Sequence, residues 1–138
     1  MSRSAFHQLY YHFVWSTKGR LPEIKDTITQ YAVHVVSEDA RKRHGFVFAC
    51  GAMPDHVHLL VSLPPDVAPS TFIGQVKGAS AHEINKTVGN KAVTWQVGYG
   101  VLSMRSSDID RVTKYVNNQP AIHSARRRPS ILEYCGDE

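Results

Sequence analysis

With 138 residues, 42% of them hydrophobic and 20% charged, the chain has the size and composition of one soluble globular domain spanning 1–138, large enough to bury a core. No apolar run approaches the roughly 20 residues of a membrane span, and the opening MSRSAFHQLYY lacks the charged, apolar and small-residue order of a signal peptide, so the expected location is the cytoplasm with no membrane partner. A net charge of +4 hints at a polyanionic partner, and two cysteines without metal-ligand spacing, Cys50 and Cys135, read as reduced thiols.

The stretch AFHQLYYHFVW alternates Leu9, Tyr11, Phe13 and Trp15 with other residues and predicts a first strand. STKGRLP reads as a turn. From Pro22 to His44 the apolar residues Ile24, Ile28, Tyr31, Ala32, Val35, Val36 and Ala40 follow a helical period, and Gly45 sits where such a helix would stop. FVFACGAM predicts a second strand, joined through a tight turn at Pro54-Asp55 to a third, HVHLLVSL. After the loop LPPDVAPS, Ser70 is a plausible cap for a helix to about Lys86, with Phe72, Ile73, Val76, Ala79, Ala81 and Ile84 facing inward. AVTWQVGYGVLSM predicts a fourth strand with a bend or bulge at Gly98 and Gly100. A last helix starts in SSDIDRVTKYVNNQ, capped by Ser106 or Ser107, with Asp108 and Asp110 in its first turn and Ile109, Val112 and Val116 as its apolar stripe.

The order β-α-β-β-α-β plus a further helix is that of the ferredoxin-like split βαβ fold, an α+β arrangement. It places an antiparallel sheet under helices on one face and leaves the other face open.

The third strand carries the first chemical signal. Residues i and i+2 of a strand share a face, so His56 and His58 project together while Val57, Leu59, Val61 and Leu63 line the opposite side. Two such imidazoles are either a chelating pair for a divalent cation or two polar residues on an exposed face. Two ligands are too few for a closed structural zinc site. On the last helix, Tyr115 and Gln119 are spaced i, i+4 and share a side. Gln119 offers a carbonyl oxygen suited to a hard cation beside imidazole, and Tyr115 offers a phenol. The clusters Arg41-Lys42-Arg43-His44 and Arg126-Arg127-Arg128 are either solvated helix ends or phosphate contacts. Asp55 reads as a turn residue that could also hold a histidine ring. His7, His12, His34, His44, His82 and His123 show no comparable constellation.

Four stretches in order, YHFVWSTKGR, GAMPDHVHLLVSL, WQVGYGVLSM and VTKYVNNQ, resemble the single-tyrosine HUH transposases of small bacterial insertion sequences and their relatives, the REP-associated tyrosine transposases. They span residues 10 to 119. The resemblance implies His56, His58 and Gln119 as ligands of Mg²⁺ or Mn²⁺ and Tyr115 as nucleophile. It implies cleavage and rejoining of single-stranded DNA through a 5′-phosphotyrosine intermediate, recognition of subterminal hairpins, and a homodimer with composite active sites. Under this reading Lys18, Arg20, Arg41, Arg43, Lys77, Arg105, Arg126 and Arg127 are candidates for phosphate contact. Pro120 disfavours helical geometry at Gln119 and predicts that the helix ends or kinks there. The alternatives are a domesticated module that holds nucleic-acid hairpins without cutting them, a metal-dependent hydrolase using water as nucleophile, and a purely structural domain.

Overall fold

A computed structural model describes residues 6–89 and 91–118. Its strands are β1 (Tyr10–Ser16), β2 (Phe46–Met53), β3 (His56–Ser62) and β4 (Gly100–Met104); its helices are α1 (Thr29–Lys42), α2 (Pro69–Val88) and α3 (Ile109–Asn117). The sheet order is β2-β3-β1-β4, antiparallel throughout, which is the expected ferredoxin-like layout. No helix among the described residues is long and apolar enough to cross a membrane.

Alternation along the strands sorts residues onto two faces. In the β1–β3 pairing, Phe13 lies opposite Leu59 and Trp15 opposite Val57, and all four are fully buried. These join Val61 and Leu63 with Val35 and Val36 of α1 and Phe72, Ile73, Val76 and Ile84 of α2 in the main core. Removal of that apolar surface from water is the chief stabilising term of the fold. The face free of α1 and α2 is taken by α3, whose Val112 and Val116 bury against Ala49 and Leu60.

Three elements depart from the expected boundaries. The first helix begins at Thr29 rather than Pro22. Ile24 reaches the core from non-helical chain, its N–H donating to the Pro54 carbonyl at 3.0 Å, so its helical spacing from Ile28 is coincidental. The second helix is entered at Ala68 with Pro69 in its first turn, so Ser70 lies inside the helix rather than at its cap. The fourth strand is cut to five residues because side chains of α2 hold the preceding segment as a loop. Asn85 bonds both backbone groups of Val93 at 2.8 and 2.9 Å, and the Lys77 ammonium donates to the carbonyls of Gln96 at 2.8 Å and Gly98 at 2.7 Å. The bend falls at Gly98, where φ is +101°.

Before α3, a single 3-10 turn at Ser106–Asp108 takes the place of a serine cap. The Asp108 carboxylate accepts the Arg105 N–H at 3.1 Å, and this contact with the Arg111 guanidinium holds Asp108 below the usual carboxylate range. The helix closes at Asn117, just ahead of the position that Pro120 marks as its end. Gln119, Pro120, Arg126, Arg127, Arg128, His123 and Cys135 lie outside the described residues.

Candidate active site

The site is built where α3 crosses the inner strands. His56 and His58 point to its side of the sheet, as the alternation of β3 requires, and are 1% and 0% exposed. They are not two polar residues on an open surface. Burying an imidazole without a hydrogen bond is costly, and each has one at its Nδ1.

For His56 the partner is the residue before it. Its Nδ1 lies 2.7 Å from Asp55 Oδ1, and the other carboxylate oxygen lies 3.4 Å from Arg20 Nε. A carboxylate only accepts, so the proton of this bond sits on Nδ1. The His56 hydrogen bond above all, then the charges of His56 and Arg20, hold Asp55 below the usual carboxylate range. Asp55 therefore both shapes the turn and orients a ring.

For His58 the partner is His12, one strand away. His12 Nε2 and His58 Nδ1 are 2.8 Å apart, with ring centroids 5.0 Å apart. His12 is fully buried, and desolvation lowers its pKa to about 4, which keeps it neutral at pH 7. The sequence alone offers no constellation for His12. The available signal was parity: His12 alternates with Phe13 and Trp15, so any pairing that joins their core face to that of β3 brings His12 to the histidine side.

Tyr115 completes the group. Its ring meets that of His58 edge to face, with centroids 5.7 Å apart at 79°, within a single chain. Gly51 permits this approach. A Cβ built there would lie 3.0 Å from the Val116 carbonyl oxygen and 3.1 Å from its Cγ1, so a side chain at 51 would press on the turn that carries Tyr115.

The turn bearing Arg20 is fixed from the fourth strand's side. The Gly19 N–H donates to Gln96 Oε1 at 2.7 Å, and the Gln96 N–H donates to the Ser16 carbonyl at 2.9 Å. Thr17 N–H adds a bond to the Asp55 carbonyl at 2.9 Å. Three of the four sequence stretches thus form one chain of contacts: Gln96 holds the Gly19-Arg20 turn, Arg20 faces Asp55, and Asp55 orients His56.

The family described as "Transposase IS200 like" matches residues 5–119. The chain belongs to that family. It is a transposase-family protein, and a DNA-processing enzyme by family. The ISDra2 transposase TnpA of Deinococcus radiodurans is 28% identical over 125 residues, covering 85% of this chain and 88% of that protein. Among solved structures, a candidate transposase from Deinococcus radiodurans R1 superposes with a TM-score of 0.68 at 26% identity, covering 86% of this chain and 96% of that one. A REP-associated tyrosine transposase bound to a REP hairpin shares the fold, with a TM-score of 0.63 at 20% identity, covering 99% and 93%.

The remaining candidates of this IS200-like transposase spread more widely. Lys18 and Arg20 sit on the exposed turn beside Asp55. Arg41 on α1 pairs with Glu38 at 2.8 Å, and Arg43, just past the end of α1, pairs with Asp39 at 3.7 Å, both across the sheet from the histidines. Lys77 is on α2, on that same far side, with its ammonium on the two loop carbonyls. Arg105 is exposed at the start of the turn leading into α3.

The donor set fits a divalent cation of the Mg²⁺ or Mn²⁺ type. With both Nδ1 atoms engaged in hydrogen bonds, a cation held by His56 and His58 would have to meet their Nε2 atoms. No group of three or more His, Cys, Asp or Glu side chains suited to a metal ion occurs among the described residues, so any further protein ligand must be of another type.

Proposed function

We propose that this transposase cleaves and rejoins single-stranded DNA at insertion-sequence ends by transesterification, with Tyr115 as the nucleophile. The observation that carries the reading is the Tyr115 ring lying against His58, beside a second imidazole whose Nδ1 is also held. His56 and His58, with Gln119 as third ligand, would hold Mg²⁺ or Mn²⁺; such a cation, when bound, neutralises charge on the scissile phosphate and stabilises the departing 3′-oxygen.

The chain's own residues supply the rest. A phenol with a pKa of about 10 is a poor nucleophile at neutral pH, and it must lose its proton as it attacks. Tyr115 Oη bonds to phosphorus, the bond from phosphorus to the 3′-oxygen breaks, and that oxygen takes up a proton. The products are a 5′-phosphotyrosine and a free 3′-OH. The phosphoester is conserved in the intermediate, so a second 3′-OH can reverse the step on another strand without ATP.

Excision needs two cleavages and each chain brings one Tyr115, so the working unit is a homodimer. Composite sites would exchange α3 between copies while keeping the tyrosine–histidine contact. The DNA ligand is single-stranded with subterminal hairpins, in line with the hairpin bound by the REP-associated relative. Lys18 and Arg20, next to Asp55, are the phosphate contacts proposed nearest the chemistry.

The test is incubation of purified protein with labelled single-stranded oligonucleotides carrying the element's ends, with Mg²⁺ or EDTA, on denaturing gels. The expected result is a metal-dependent covalent protein–DNA band, lost in Tyr115→Phe and His56→Ala. DNA shifted on native gels yet never cut would replace the reading with a hairpin-binding module. Cleavage that survives Tyr115→Phe would move the nucleophile to water.

A further inference from the structure

The bond between His12 and His58 joins two rings that can each donate or accept, so its direction is a property of the site. A neutral imidazole carries one N–H and one lone pair. If His12 Nε2 donates, His58 accepts at Nδ1 and its proton sits on Nε2, where no metal can bind. If His58 Nδ1 donates, the lone pair lies on Nε2, matching the form that Asp55 imposes on His56.

We propose that His12 is a positioning residue for the metal site: its Nε2 accepts the His58 Nδ1 proton and so holds His58 in the tautomer whose Nε2 can coordinate a divalent cation. The inference rests on the metal reading above and adds a residue to it. His12 touches neither cation nor DNA and acts only through His58.

Two features of the structure bear on this direction. The 2.8 Å contact is buried, out of reach of water that could substitute for either partner. His12 Nδ1, which carries the proton in this form, has no hydrogen-bond partner among the described residues. A buried N–H without an acceptor is unfavourable, and the opposite direction moves that N–H to His58 Nε2, so the two directions are close alternatives in the metal-free protein. Coordination at His58 Nε2 permits only one. His12 is thus a partner that can wait in either form and is committed when the cation binds.

The test compares Mn²⁺ binding by calorimetry in the full chain, in His12→Gln and in His12→Met, with His56→Ala as control. Glutamine extends an amide oxygen to the place of Nε2 and can still accept; methionine has similar length and cannot serve as a comparable acceptor. Affinity within about threefold of the parent is expected for His12→Gln, and a loss of about 10- to 100-fold for His12→Met, the range seen when such outer partners of a ligand are removed. Imidazole ¹⁵N spectra of the unmutated protein with Mg²⁺ bound give a reading that needs no folded variant: His58 should carry its proton on Nδ1, with His12 Nε2 bare. Equal affinity in His12→Met, or a proton on His12 Nε2 in the Mg²⁺-bound protein, overturns the role of His12 alone. Parent protein that binds Mn²⁺ no better than His56→Ala overturns the metal reading itself, and this inference with it.

Discussion

The two faces of the sheet obey the same alternation and put it to different uses. Toward α1 and α2, the strands present aromatic and aliphatic residues that interlock with two helices. Toward α3, they present three buried imidazoles, and Ala49 and Leu60 join Val112 and Val116 in a smaller cluster against which Phe48 and Met104 pack. The first face is held by apolar area. The second is held by a helix nine residues long and by hydrogen bonds that make burial of histidine tolerable. Stability is concentrated on one side and chemistry on the other, so substitutions on the two faces should separate the two properties.

The largest expected effect is on the apolar face. Phe72 is fully buried and contacts Phe13, ring centroids 5.6 Å apart. Phe72→Ala should cost about 3–5 kcal/mol in urea unfolding, while the molecules that remain folded cleave DNA at the parental rate. A variant that is stable but inactive would mean the faces are not separable in this way.

The next effect sharpens the account of the polar face. His12 has its pKa lowered from 6.5 to about 4 by burial. Between those values the unfolded chain binds a proton that the folded chain does not, so stability falls as pH drops from 6.5 toward 4 and is unaffected above 6.5. The His12 contribution to that fall is on the order of 3 kcal/mol. Unfolding measured in EDTA across this range should show a shallower acid limb for His12→Gln than for the parent. Identical limbs would contradict a buried, neutral His12.

The smallest effect probes the join between the faces and α3. Gly51→Ala should push back the last turn of α3 and cost about 1–2 kcal/mol, with cleavage falling further than the lost folded fraction explains. On α2, a Cβ added at Gly78 would meet nothing within 4 Å, and Gly78→Ala should instead stabilise by up to about 1 kcal/mol without changing cleavage. Paired thermal melts and cleavage rates check both signs.

Much of this division was legible in the sequence. The alternation in HVHLLVSL placed His56 and His58 on one face and their apolar neighbours on the other, and Pro54-Asp55 announced the hairpin. The apolar stripe of Ile109, Val112 and Val116 set the helix that carries Tyr115. His12 was hidden because its partner depends on the register between β1 and β3, with Val14 opposite His58 and His12 diagonal to it. Packing of Phe13 and Trp15 sets that register, and neither strand states it alone. The fourth strand was overextended for a similar reason, since the hydrogen bonds of Asn85 and Lys77 that hold residues 93–98 as loop come from a helix distant in sequence. Gln119 was read from spacing and lies outside the described residues.

The central claim is a covalent bond between Tyr115 and the 5′ end of cleaved DNA. Its most direct measurement is mass spectrometry of the protein after reaction with a short single-stranded end and Mg²⁺, followed by nuclease and trypsin. Trypsin releases YVNNQPAIHSAR, which begins at Tyr115. The account predicts that this peptide carries a nucleotide linked through its 5′-phosphate to the tyrosine oxygen. Cleaved DNA alongside an unmodified peptide, or an adduct on another residue, would contradict it.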